Sequence, residues 1–203
     1  DPYGDLYFNE APPPSMLALS AGVPGSRELL AHCGSMSKVL SPGLRVGWMI
    51  APAELLTRAT MCKQFSDAHT STFAQATAAQ YLKADRMPAT LAHVRKVYAE
   101  RAQVMCDALR LELGDAIEFV QPQGGLFIWA RLTGLGRDAS VPGAKSVSDG
   151  GELAKRAIEK GVAFVPGAPF YCANPDHATR RRSFATVGVE KILEGVGRLA
   201  AAI

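Results

Sequence analysis

Hydrophobic positions recur along the chain at two periods, and the switches between them mark out alternating helices and strands. From Pro88 to Leu113, the residues Leu91, Val94, Tyr98, Ala102, Met105 and Leu109 follow at steps of three and four. This spacing predicts one long amphipathic helix, with Gly114 as its stop. Ahead of it, Pro52-Ala53-Glu54 reads as a helix start with proline in the first turn, and another helix is predicted from about Thr72 to Lys83. Short apolar runs bounded by glycine and proline predict strands at Leu29–Gly34, Leu44–Ala51, Ile117–Val120, Leu126–Ala130, Val162–Val165 and Arg180–Val187. Helices over Glu152–Lys160 and Val189–Ala202 complete the series. Residues 1–26, with Pro12-Pro13-Pro14 and Pro24-Gly25, read as loop, and so do residues 133–151, rich in Gly, Ser and Asp. Strands interleaved with helices define an α/β architecture, with the long helix from Pro88 as the expected bridge between two domains.

Composition narrows the class without naming a function. The 203 residues are 48% hydrophobic, enough to bury a core. Charged residues make up 20% and the formal net charge is +3, so no strong field points to nucleic acid or an anionic membrane as partner. No apolar run approaches the roughly 18 residues that cross a bilayer. Cys33, Cys62, Cys106 and Cys172 are widely spaced, with no C-x-x-C pair and no histidine at ligand spacing, which argues against a disulfide framework or a zinc site. A reducing, cytoplasmic setting is the expectation.

Chemistry concentrates in a few short segments. Ser35-Met36-Ser37-Lys38 is followed, seven residues after the lysine, by Arg45 within Gly43-Leu44-Arg45-Val46-Gly47-Trp48. With Tyr3 in Asp1-Pro2-Tyr3-Gly4-Asp5-Leu6-Tyr7-Phe8, this resembles the S-x-S-K…P-G-L-R-x-G-W pattern and tyrosine segment of class I/II aminotransferases. Pro122-Gln123-Gly124-Gly125-Leu126-Phe127-Ile128-Trp129, Val165-Pro166-Gly167 and Arg181-Arg182-Ser183-Phe184-Ala185 follow in that family's order, so the resemblance spans essentially the whole chain. The spelling is most similar to the subgroup of 2-aminoadipate, kynurenine and aromatic aminotransferases.

The resemblance implies the fold type I architecture: the C-terminal part of a cofactor-binding large domain over residues 1–86, then a bridging helix and a small C-terminal α/β domain over 87–203. It implies pyridoxal 5'-phosphate as cofactor and Lys38 as its Schiff-base lysine, which afterwards carries a proton at the substrate carbon. Ser35, Ser37 and Arg45 would hold the cofactor phosphate, for which short donors and a permanent cation are suited. Tyr3 would hydrogen-bond the cofactor's phenolic oxygen. Arg181, two residues before Ser183, would grip the substrate carboxylate with a bidentate fork. Amino acids and 2-oxo acids are then the substrates, and a homodimer is expected, with residues His69 to Thr72 near the partner subunit's site.

Other readings of the same residues stay in view. Ser35-x-x-Lys38 also fits the S-x-x-K of serine acyl-transfer enzymes, but no K-T-G follows and Ser66-Asp67-Ala68 only partly mimics S-D-N. An effector-sensing domain of a GntR-type transcription regulator would keep the lysine while serving as a ligand switch. Gly124 and Gly125 need no role beyond a turn, and Trp129 none beyond packing. His69 reads as a structural histidine. In Arg180-Arg181-Arg182, arginines stand on both sides of the functional position where the family has apolar residues, which puts the packing of that strand in question.

Three residues before the tyrosine, the family carries a carboxylate that charges the pyridine ring, and that position falls ahead of Asp1. The expectation is therefore that the chain is one half of a longer enzyme, inactive and poorly soluble without the segment that carries this carboxylate.

Overall fold

The computed structural model describes residues 2–12, 14–133 and 150–203. The expected loop over 133–151 therefore lies almost wholly outside the described residues. The chain divides into two compact units, Asp1–Lys96 and Val97–Ile203, and the division falls inside a single long helix.

In the first unit, strands β1 (His32–Ser35) and β2 (Gly47–Ile50) pair antiparallel, with Gly34 opposite Trp48. Helix α1 (Met16–Leu19) occupies part of the segment expected to be loop, because the Ser15 hydroxyl caps it by accepting the Ala18 amide at 3.2 Å. Helix α2 (Ala53–Asp67) starts after Pro52, and α3 (Thr72–Lys83) is capped by the Ser71 hydroxyl. Asp85, with φ 51°, turns the chain into α4 (Met87–Leu113), which carries Pro88 in its first turn, where no amide partner is lost. This unit buries little. Within its elements only Ser20 and the α3 alanines Ala74 and Ala78 are buried, whereas Phe65 and Phe73 are 84% and 79% exposed.

The second unit holds an antiparallel sheet in the order β3 (Ile117–Phe119), β4 (Phe127–Leu132), β6 (Thr179–Ser183), β5 (Val165–Pro166). Period-two alternation along β4 buries Ile128, Ala130 and Leu132 and leaves Phe127, Trp129 and Arg131 on the other face. Buried residues of α4 (among them Cys106 and Leu109), α5 (Gly150–Glu159; Leu153, Ala157) and α6 (Val189–Ala200; Ile192, Val196, Leu199) add to this core, as does Phe184. Among the described residues, no helix is long and apolar enough to cross a membrane.

Every expected strand but β4 is shorter than its apolar run, and two show why. The Val162 amide bonds back to the Ala157 carbonyl at 2.8 Å across Gly161, whose φ is 76°, so Val162 closes α5 instead of entering the sheet. The strand from Arg180 begins one residue earlier, at Thr179, and stops at Ser183, whose hydroxyl accepts the Ala185 amide.

Candidate active site

Backbone hydrogen bonds build the lysine segment. After β1 ends at Ser35, the Met36 amide donates to the Val46 carbonyl at 3.0 Å, and the amides of Leu40 and Ser41 both donate to the Met36 carbonyl, at 2.9 and 3.1 Å. These bonds close a tight turn around Lys38. The Ser35 hydroxyl accepts the Ser37 amide at 3.1 Å, so the two serines are held together at its entrance. The half-buried Lys38 amine lies 5.9 Å from the centre of the Tyr3 ring and has no hydrogen bond or carboxylate partner among the described residues.

Tyr3 is fixed in turn by its own segment. Its carbonyl accepts the Leu6 amide at 2.8 Å, and Leu6 is 1% exposed. Arg95 then ties the segment to α4, donating from Nε to the Asp5 carbonyl at 2.7 Å and stacking 3.7 Å from the Tyr7 ring centre.

Arg45 ends the turn Pro42–Leu44 in the left-handed conformation, with φ 55°. For a residue with a β-carbon this costs on the order of 1 kcal/mol, a strain that concentrates at functional sites. Its exposed guanidinium donates to the Pro42 carbonyl at 3.2 Å. The turn also depends on Gly34: a β-carbon there would sit 2.2 Å from the Trp48 indole, so only glycine lets the ring cross β1. A cavity of about 420 Å³ opens beside β1, lined by Gly34, Ser35, Met36 and Trp48 among others, and Lys38 is not in its wall.

The arginine triplet in β6 keeps strict alternation. Arg180 and Arg182 turn to the core face, opposite Ala130 and Ile128, and are 1% and 6% exposed. Burial pushes their guanidiniums down, to about 10 for Arg180 and about 9 for Arg182, where Arg180's charge adds to the effect. Arg180 donates to the Ala178 carbonyl at 2.9 Å, but Nε and Nη1 of Arg180 and Nε and Nη2 of Arg182 are buried with no acceptor among the described residues. Arg181 faces the other way, opposite Trp129, and is half-buried. Its Cζ lies 4.3 Å from the Phe127 ring centre and 4.7 Å from that of Phe170, and no carboxylate partner to it is seen among the described residues.

Of the residues singled out from sequence, Tyr3, Ser35, Ser37, Lys38 and Arg45 all belong to the first unit, and Arg181 to the second. His69 is exposed, with Nδ1 2.9 Å from the Thr70 carbonyl. No hydrogen bond links Ser35 to Lys38 among the described residues, so the nucleophile–base contact of a serine acyl-transfer site is not formed. The aromatic residues around Arg181 carried no assignment from the sequence. The signal was present in the period-two spacing of Phe127 and Trp129 on the strand beside it.

The fold is that of the fold type I pyridoxal-phosphate-dependent aminotransferases. The chain belongs to the aminotransferase class I and II family, whose sequence model matches residues 1–199. It is 41% identical over 205 residues to the 2-aminoadipate transaminase of Thermus thermophilus, covering 100% of this chain and 47% of that protein. The crystal structure of an alpha-aminoadipate aminotransferase from Thermus thermophilus, complexed with N-(5'-phosphopyridoxyl)-L-leucine, superposes with a TM-score of 0.85 at 39% identity, over 100% of this chain and 48% of that one. The HTH-type transcriptional regulator TauR of Rhodobacter capsulatus is 30% identical over 204 residues, covering 98% of this chain and 38% of that protein. The chain thus spans about half the length of the aminotransferases it matches.

Proposed function

We propose that the chain carries the lysine segment and the carboxylate-binding arginine of a pyridoxal-phosphate-dependent amino-acid aminotransferase. The observation that carries this reading is Lys38: a half-buried amine on a turn closed by three backbone hydrogen bonds, beside a tyrosine ring and, among the described residues, with no protein acid to neutralise it. Residues 1–86 then form part of the cofactor-binding domain, and residues 87–203 the bridging helix and small domain.

The donor set fits the cofactor. Pyridoxal phosphate, when bound, supplies an aldehyde carbon for amine exchange and a ring that withdraws electrons from the substrate's Cα. The Lys38 Nζ is the nucleophile for that aldehyde and, once released, the base that takes and returns the Cα proton. Ser35 and Ser37 would supply two hydroxyls at the lysine turn and Arg45 a permanent cation, the donors a phosphate requires. The Tyr3 phenol provides a hydrogen bond to the cofactor's phenolic oxygen. Arg181 receives the substrate carboxylate, because it alone of the triplet leaves the core face and meets no carboxylate among the described residues.

The substrates are an amino acid and a 2-oxo acid, with the 2-aminoadipate, kynurenine and aromatic amino-acid group as the donor class. The working form is a cytoplasmic homodimer, the assembly expected from the family; Phe65 and Phe73 are exposed side chains that a second subunit could cover. An effector-sensing role in a transcription regulator would use the same residues without turnover. Amine transfer to 2-oxoglutarate separates the two. In the full-length protein, Lys38→Ala abolishes glutamate formation, and Arg181→Ala raises KM for the amino acid. Turnover retained in Lys38→Ala refutes the assignment.

A further inference from the structure

The surroundings of Arg181 pose a physical problem that the carboxylate role leaves open. An arginine side chain carries roughly 2 kcal/mol of rotamer freedom, and a fork that must meet a carboxylate in one plane has to give up much of it in advance. Protein carboxylates ordinarily supply that restraint, and none is seen on Arg181 among the described residues. Its Nε is buried with no acceptor among the described residues, so no hydrogen bond seen there holds the base of the guanidinium either.

Two rings stand where those partners would be. Phe127 lies on β4, on the face Arg181 shares, one step along from Trp129, its direct cross-strand neighbour. Phe170 comes from the short turn Ala168–Phe170 that follows β5. Both ring centres lie within 4.7 Å of Cζ, inside the range where a guanidinium is attracted to an aromatic face. Phe170 is braced in turn: its ring meets Trp129 edge-on at 5.6 Å and 86°, and Tyr171 lies 6.2 Å from the same indole. The rings restrain the guanidinium plane while contributing no acceptor, so its N–H edge stays available to a ligand.

We propose that Phe127 and Phe170 are positioning residues that form an aromatic seat for Arg181, with Trp129 bracing Phe170, and that the seat fixes the plane in which a substrate carboxylate is bound. The seat acts through Arg181, so the inference rests on Arg181 as the carboxylate-binding residue. A seat of this kind favours carboxylates over other anions, because a flat two-pronged acceptor gains most from a fork of fixed orientation.

The test uses the cofactor-loaded enzyme in three forms, Phe127→Leu, Phe170→Leu and the conservative Phe170→Tyr, with 3-phenylpropionate as the carboxylate probe. Each leucine variant should weaken probe binding and raise KM for the amino acid by about threefold to thirtyfold, the range of one cation–π contact, with kcat and cofactor absorbance unchanged. Phe170→Tyr, which keeps the aromatic face, should restore binding. The side-chain Nε–H resonance of Arg181 should lose its ring-current shift in the leucine variants. The penalty of Phe170→Leu should shrink in an Arg181→Lys background. Leucine variants that bind the probe as the parent does, or a penalty that persists in full beside Arg181→Lys, would overturn the seat while leaving Arg181 in place. Arg181→Ala that binds the probe unchanged would instead overturn the underlying carboxylate assignment.

Discussion

Replacing Arg182 with methionine should stabilise the protein. Arg182 is 6% exposed, opposite the fully buried Ile128, and its Nε and Nη2 have no acceptor among the described residues. The Phe164 ring centre lies 5.2 Å from its Cζ, and Arg180 adds a like charge nearby. Burial holds the guanidinium down at about 9, a displacement worth about 5 kcal/mol against the folded state while the side chain is charged. The sign follows from proton linkage. A basic group with a lowered folded value binds its proton more weakly folded than unfolded, so the penalty is present throughout neutral pH. Because a buried guanidinium draws in water and relaxes, the recoverable part is nearer 1–4 kcal/mol, roughly the range found when buried ions give way to apolar residues of similar volume. Methionine keeps the unbranched length and supplies packing in place of charge. Thermal unfolding followed by circular dichroism should show Tm raised by on the order of 3–10 °C. The gain from Arg180→Met should be smaller, since Arg180 donates to Ala178 and feels the Asp176 carboxylate. A Tm that falls in Arg182→Met would show that the guanidinium is held by favourable contacts and that this account of the β6 core face is wrong.

Two further perturbations probe the scaffold. Gly34→Ala forces a β-carbon into the Trp48 indole, so the lysine turn should distort: pyridoxal phosphate affinity drops, readable by absorbance titration, while the second unit unfolds at an unchanged temperature. Asp176, held below the usual carboxylate range by its hydrogen bond from Arg131 at 2.8 Å, contributes stability above the unfolded carboxylate value that is lost as pH falls through its folded one. Asp176→Asn should therefore lower Tm at neutral pH and lose that difference in acid, and an equal deficit at both pH values would contradict the pairing.

The long helix was legible because six apolar residues keep helical spacing over its length, a signal that survives even though the helix passes from one compact unit to the next. The lysine turn was legible because motif and glycine–proline punctuation coincide. Strand ends were less so: an apolar run does not reveal that the Val162 amide is taken by Ala157 behind a left-handed Gly161. The arginine triplet shows a deeper limit. Charge suggested that Arg180 and Arg182 would upset the alternation of β6, yet the pairing of Arg180 with Ala130 and Arg182 with Ile128 is kept, and the charges are buried instead. Backbone pairing and the apolar neighbours of the strand outweighed the preference of two side chains for water. Period two put Phe127 and Trp129 on one face of β4, but the approach of Phe170, more than forty positions further on, is encoded by no local pattern.

Above all, Lys38 should be the residue that bonds pyridoxal phosphate. Incubating the protein with the cofactor, reducing with sodium borohydride and mapping the peptides by mass tests it directly. A single phosphopyridoxyl adduct should form on Lys38 and be lost, together with the visible absorbance of the bound cofactor, in Lys38→Ala. An adduct on another lysine, or absorbance unchanged in that variant, would contradict it.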